Sequence, residues 1–209
     1  SPASGVWKVL LTVLADASDR KGSIQEVPGK HSMGEIKAHS EVLLLLAAFT
    51  RYDEGFEWIR ATIEESWGAI ALESSEFSFD QTEYYTATMG TELRKKFFVL
   101  DRLHDPAQLA GVKHQTNTWE ESYQARHAHP ETRPLNLDPG YLTEAKLVLA
   151  TTKDRDHRVY LDKGIFAEIT LFYSHGKWQS RPWTYPDYQA AGYHEFFTRC
   201  RELLREKYR

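Results

Sequence analysis

Eight consecutive apolar residues, Val42 to Phe49, most constrain what this chain can fold into. The run falls well short of the roughly 18 residues that a membrane span needs. It shows no polar alternation, so it reads as a strand buried on both faces. Asp53 stands where it can cap a helix with Phe56, Ile59, Ile63 and Trp67 on one face, and Gly68 closes that helix. Ala69 to Phe79 is strand-like, but its apolar residues shift phase, Ile70 and Leu72 being even and Phe77 and Phe79 odd. A period of two changes phase only through an extra residue, which predicts a bulge or break at Ser74-Ser75.

Gln81 to Gly90 reads as a polar, Tyr-rich connection, and Phe97 to Leu103 as a further strand. Asp105-Pro106 places an N-cap before a proline at the first helical position, ahead of a stripe of Leu109, Val112, Trp119 and Tyr123. His127 to Pro134 is a loop, and Leu135 opens the next segment. The order β-α-β-β-α-β from Val42 to about Leu137 predicts an α+β fold with a ferredoxin-like half. An antiparallel β-meander follows. Arg158–Leu161 turns through Asp162-Lys163-Gly164 into Ile165–Tyr173, and Ser174-His175-Gly176 turns into Lys177–Arg181. On its middle strand Ile165, Ala167, Ile169 and Leu171 share one face, with Phe166, Glu168, Thr170 and Phe172 on the other. A last helix carries Tyr193, Phe196, Phe197, Cys200, Leu203 and Leu204 on one stripe. Arg199, Arg201, Arg205, Lys207 and Arg209 complement the dipole at its C-terminal end.

Residues 1–32 read as an extension or linker outside a single domain spanning 33–209. Val9–Leu14 with Ala15-Asp16-Ala17 only faintly resembles a secretory signal, with no basic region before it. Met33-Gly34-Glu35-Ile36 looks like a natural start, and Gly22–Ser32 like a linker. The single cysteine excludes an internal disulfide framework and suits a reducing, cytoplasmic setting. A net charge of −4 leaves the chain as a whole without a basic footprint for nucleic acid, and no membrane partner is expected.

The densest polar segment is Thr151-Thr152-Lys153-Asp154-Arg155-Asp156-His157-Arg158. Its cations can neutralise phosphate or carboxylate oxygens, Arg through a bidentate fork and Lys as a point charge, while the threonines offer hydroxyl donors. The alternative is a solvated loop whose aspartates balance its cations. Asp138-Pro139-Gly140-Tyr141 has the composition of a type II turn. Asp138 could instead aim a carboxylate at the basic cluster or a metal. Glu168, if its face is buried, needs a partner, and Arg158 on the adjacent strand is the candidate.

The candidate site therefore comprises Tyr141, Thr151, Thr152, Lys153 and Arg158 as ligand-binding residues, with His157, Asp138 and Glu168 as candidate catalytic groups. His157 is the natural acid/base, its ordinary pKa lying nearest neutrality. The expected ligand is a phosphorylated small molecule or nucleotide. The rival reading is a non-catalytic interaction module using Tyr84, Tyr85, Trp183 and Tyr185. His104, His114, His127 and His129 lack metal-ligand spacing, so no metal is expected. The cofactor, if any, stays open. No Walker loop, G-x-G-x-x-G or G-x-S-x-G occurs, and Cys200 lies on an apolar stripe, where a catalytic thiol is not expected.

Several linked motifs carry a resemblance. They are Met33-Gly34-Glu35-Ile36-Lys37, Phe77-Ser78-Phe79-Asp80 with Tyr84-Tyr85 and Met89-Gly90, Asp138-Pro139-Gly140-Tyr141, Lys146 to Asp154, His157 to Leu161, Gly164 to Glu168 and Pro182 to Tyr188. On these the chain resembles, from Met33 to the C-terminus, an uncharacterised bacterial and archaeal family known as domain of unknown function 4416. The resemblance implies family membership and supplies no activity.

Overall fold

The eight-residue apolar run forms the inner strand on which the other layers are built. In the computed structural model, which describes residues 38–79 and 85–209, strand β1 (Val42–Thr50) is buried along its whole length. Its even residues Leu44, Leu46 and Ala48 meet helix α1 (Asp53–Ser66) and helix α3 (Leu109–Arg126). Its odd residues Leu43, Leu45 and Ala47 meet the C-terminal helix α4 (Ala191–Lys207). The fold is thus α+β, a sheet with helices on both faces. The readings on Tyr84 and on residues 1–32 lie outside the described residues.

The remaining strands are β2 (Ile70–Glu73), β3 (Phe77–Ser78), β4 (Arg94–His104), β5 (Leu135–Leu142), β6 (Lys146–Thr151), β7 (Val159–Asp162), β8 (Ile165–Ser174) and β9 (Lys177–Ser180). A four-residue helix, α2 (Thr86–Met89), lies between β3 and β4. Every pairing among the described residues is antiparallel, in the order β2-β4-β1-β5-β6-β8-β7. β3 adds to β4, and β9 adds to β8. The predicted break at Ser74-Ser75 separates β2 from β3. There Ser74 donates its N–H to the Phe97 carbonyl, and its Oγ accepts from the Phe97 N–H at 2.9 Å. Asp105 caps as expected, accepting from the Ala107 N–H at 2.8 Å, through a 3₁₀ turn that leads into α3. Both meander hairpins use left-handed turn residues, Lys163-Gly164 and His175-Gly176.

Three local expectations are corrected. Asp53 is the first residue of α1 rather than its cap, and its carboxylate pairs with Arg94 at 2.7 Å. The faces of β8 do not persist along the strand, because its ladder with β6 steps from Leu147↔Leu171 to Val148↔Ile169. The extra residue moves Leu171 into the α4-side core while Ile169 stays exposed.

The third correction concerns Asp138-Pro139-Gly140-Tyr141, which is no turn but lies inside β5, opposite Leu44–Ala47 of β1. The chain reverses later, at Thr143, whose Oγ1 accepts from the Ala145 and Lys146 N–H groups. Gly140 is required by close strand approach: a Cβ there would stand 2.3 Å from the Val148 carbonyl oxygen. Pro139 is tolerated because the β5–β6 ladder runs only over Gly140–Leu142. Before Gly140, β5 has no β6 neighbour to receive a hydrogen bond.

Candidate functional site

That early end of the β5–β6 ladder leaves two polar problems, and α3 solves both. Leu137 is fully buried, and its peptide groups have no strand on the β6 side. Its N–H donates to Glu120 Oε1 at 2.7 Å, and its carbonyl accepts from Lys113 Nζ at 2.7 Å. Lys113 and Glu120 stand seven apart on the buried stripe of α3, so one helix face supplies the donor and the acceptor that a strand would have supplied. Arg133 holds Glu120 from the other side at 2.9 Å. Burial raises the Glu120 pKa, against the pull of Lys113 and Arg133.

The separated strands open onto a cavity of about 400 Å³. Asn136 and Asp138 form one wall, and Leu149 to Lys153 form another. Phe49, Phe79 and Tyr85 make an aromatic side, and Tyr185 to Tyr188 close it. Five cations line it (Lys95, Lys113, Arg133, Lys153 and Arg158) against three carboxylates (Asp138, Glu168 and Asp187). One of the two excess charges, on Arg133, is offset by Glu120 behind it.

Each carboxylate has a cation of its own. Lys95 Nζ is buried 2.5 Å from Asp187 Oδ2, with its ammonium over the rings of Phe79, Tyr188 and Phe49 at 4.4, 4.8 and 5.0 Å. Burial pushes the Tyr188 phenol well above its ordinary range, with the Asp187 charge adding to it. Asp138 accepts from Lys113 at 3.3 Å and from Asn136 Nδ2 at 2.9 Å. Burial works against its charge, but Lys113, Lys95 and Arg133 together hold its carboxyl below the usual range.

Arg158 meets Glu168 as the sequence suggested. Nε donates to Glu168 Oε2 at 2.7 Å between two buried side chains. The rest of the guanidinium donates to the Lys153 carbonyl at 2.8 Å and to the Tyr185 hydroxyl at 3.1 Å. Burial opposes the Arg158 charge, but Glu168 and Tyr185 outweigh it and raise its pKa. Arg158 is therefore a bracket tying the basic loop to β8 and to the Tyr185 segment. Nearby, β8 carbonyls between β7 and β9 are satisfied by side chains, Ile169 by Trp183 Nε1 and Thr170 by Thr184 Oγ1.

Of the residues singled out in the sequence, Asp138, Thr151, Thr152, Lys153, Arg158 and Glu168 line this one cavity. Tyr141 and His157 do not. Tyr141 packs beside Leu109, Ala110 and Val148, one residue out of phase with Gly140, and so faces α3. His157 stacks on Trp183 at 5.1 Å, with Nε2 3.4 Å from Glu168 and Nδ1 3.1 Å from Asp156. Tyr85, half-buried, and Tyr185, exposed, both line the cavity, whereas Trp183 is exposed outside its lining, stacked on His157.

Sequence reasoning missed Lys95, Lys113, Asn136 and Asp187. Lys95 shares the strand phase of Phe97 and Val99, and Lys113 sits four residues after Leu109 on the helical stripe. Both signals were present as cations on buried faces. Asp187 has no such signal, because only the tertiary fold brings its loop to Lys95. Among the described residues no group of three or more His, Cys, Asp and Glu converges as a metal site, and no helix is long and apolar enough to cross a membrane.

No curated protein and no solved structure gave a significant match to the chain. Residues 40–204 match the model of a family described as a domain of unknown function, DUF4416, which spans most of the chain. The chain belongs to the DUF4416 family.

Proposed function

We propose that the protein binds a phosphorylated small molecule or nucleotide in the cavity between β5 and β6. The observation that carries this reading is a concave, aromatic-walled cavity with an excess of cations and the Thr151–Thr152 hydroxyls on its rim. Lys153 supplies charge at that rim, and Arg158 and Glu168 hold the loop in place. Phe49, Phe79 and Tyr85 suit an apolar or planar part of the ligand. No reaction is part of this reading, since His157 stands outside the cavity lining.

A thermal-shift screen against nucleotides and phosphorylated metabolites tests it, because a ligand held only by the native state raises the melting temperature. Calorimetric titration of any hit should then show Lys153→Ala weakening affinity by the roughly 1.5–3 kcal/mol of a charge-assisted contact. No shift with any compound overturns the reading, and equal affinities remove Lys153 from it.

A second reading, a protein-interaction surface, draws on the exposed Val159, Tyr160, Leu161, Ile169, Trp183 and Tyr185, all on β7, β8 and the segment after β9. A ferredoxin-like origin for the first half of the sheet belongs to the proposal too. Its support is the order β2-β4-β1-β5, with α1 and α3 on one face. A single cysteine, and hence no internal disulfide, suits a cytoplasmic setting.

A further inference from the structure

The three carboxylates at the cavity are not equivalent. Glu168 and Asp187 are sealed against their cations, their side chains 2% and 8% exposed, whereas Asp138 is 33% exposed and opens to the cavity. An ionised carboxylate offers about four acceptor sites and no donor. Lys113 occupies one on Oδ1 and Asn136 one on Oδ2, from side chains that are themselves buried. The remaining acceptor capacity faces the ligand space.

An anionic oxygen placed in contact with those lone pairs is repelled, so the ligand group that meets Asp138 is a hydrogen-bond donor. The donor is neutral. An ammonium there would meet Lys113, Lys95 and Arg133, the same cations that keep Asp138 ionised. A hydroxyl adds no charge and donates one strong bond to a carboxylate.

We infer that Asp138 accepts a hydroxyl of the ligand, so that the ligand is a hydroxyl-bearing phosphate ester and not inorganic phosphate or pyrophosphate. This rests on the phosphate-binding reading above and narrows it. Asp138 is then the specificity-determining residue of the cavity, while Lys113 and Asn136 are positioning residues that aim it.

The test is calorimetric titration of the full chain and of Asp138→Asn with adenosine 5′-monophosphate, its 2′,3′-dideoxy analogue, ribose 5-phosphate and pyrophosphate. Wild type should prefer adenosine 5′-monophosphate over its dideoxy analogue, and ribose 5-phosphate over pyrophosphate, by about 10- to 100-fold, the range of a hydrogen bond to a charged group. In Asp138→Asn that preference should collapse to within about threefold, and pyrophosphate should bind more tightly than to wild type as the repulsion is removed. Opposite changes for the two ligand classes are a signature that general loosening of the site does not produce. Asp138→Glu keeps a counterion for Lys113 but displaces the acceptor by one methylene, and it should lose the preference with less risk to folding. Binding of all four compounds without preference overturns the inference and leaves the phosphate reading standing. A preference that survives both substitutions also overturns it, as does no binding by any of the four, while the phosphate reading falls only if the wider thermal-shift screen gives no shift.

Discussion

Replacing Lys113 by Met is the sharpest probe of how this sheet is held open. Lys113 is buried, and its ammonium has two acceptors, the Leu137 carbonyl at 2.7 Å and Asp138 at 3.3 Å. Met keeps an unbranched stem, so the packing loss is small. The Leu137 carbonyl, on a fully buried residue without a β6 partner, would be left unsatisfied, at a cost of about 1–3 kcal/mol. Asp138 would lose its nearest cation, but it is one-third exposed and water replaces part of the interaction, leaving about 1 kcal/mol. Relief from burying an ammonium returns part of this. The net expectation is a loss of about 2–3 kcal/mol, or a fall in Tm of about 4–12 °C for a chain of this size. Urea denaturation followed by tryptophan fluorescence measures it, with m unchanged. A loss below about 0.5 kcal/mol would show that α3 side chains do not stand in for the missing strand. A double-mutant cycle with Asp138→Asn then separates the Asp138 share from the Leu137 share.

Gly140→Ala should cost about 3 kcal/mol or more, because the new Cβ would lie 2.3 Å from the Val148 carbonyl and 2.7 Å from a Leu149 methyl, which forces the ladder apart. A thermal melt within 2 °C of wild type, against the ~2–4 °C expected per kcal/mol, would contradict that. Glu73 is held down to about 2 by the Arg60 hydrogen bonds, against burial and with help from Lys96. Its folded pKa is below its unfolded one, so its stabilisation is complete above the ordinary carboxylate range and is lost as pH falls toward 2. Denaturation midpoints measured from pH 6 down to 2 should therefore fall less steeply in Glu73→Gln than in wild type, and parallel curves would refute the assignment.

How much of the fold is legible in the chain depends on whether the cause is local. The Val42–Phe49 run demands an inner strand on its own, since burial on both faces is what accounts for so long an apolar stretch at strand length. The phase change between Leu72 and Phe77 predicts the break at Ser74, and Asp105-Pro106 marks the start toward α3. Arg158 and Glu168 can be paired from the chain alone because a hairpin with a short turn sets its own register, as the Val159↔Ala167 pairing shows.

The same kind of reasoning misreads Asp138-Pro139-Gly140 as a turn. Composition reports what a peptide tolerates, and proline followed by glycine suits two situations: a tight reversal, and a strand that has lost one neighbour while pressing close to another. Only the tertiary structure chooses between them, because the place where β6 leaves β5 is set by the packing of α3 behind both strands. The Lys95–Asp187 pair is of the same kind, joining residues 92 positions apart. A buried lysine on a strand announces that it needs a counterion, but where that counterion comes from is decided by which loop the C-terminal helix carries back across the sheet. The basic loop is thus recognisable as a candidate in the sequence. The cavity it borders exists because two strands part company and a helix satisfies the backbone groups they leave exposed.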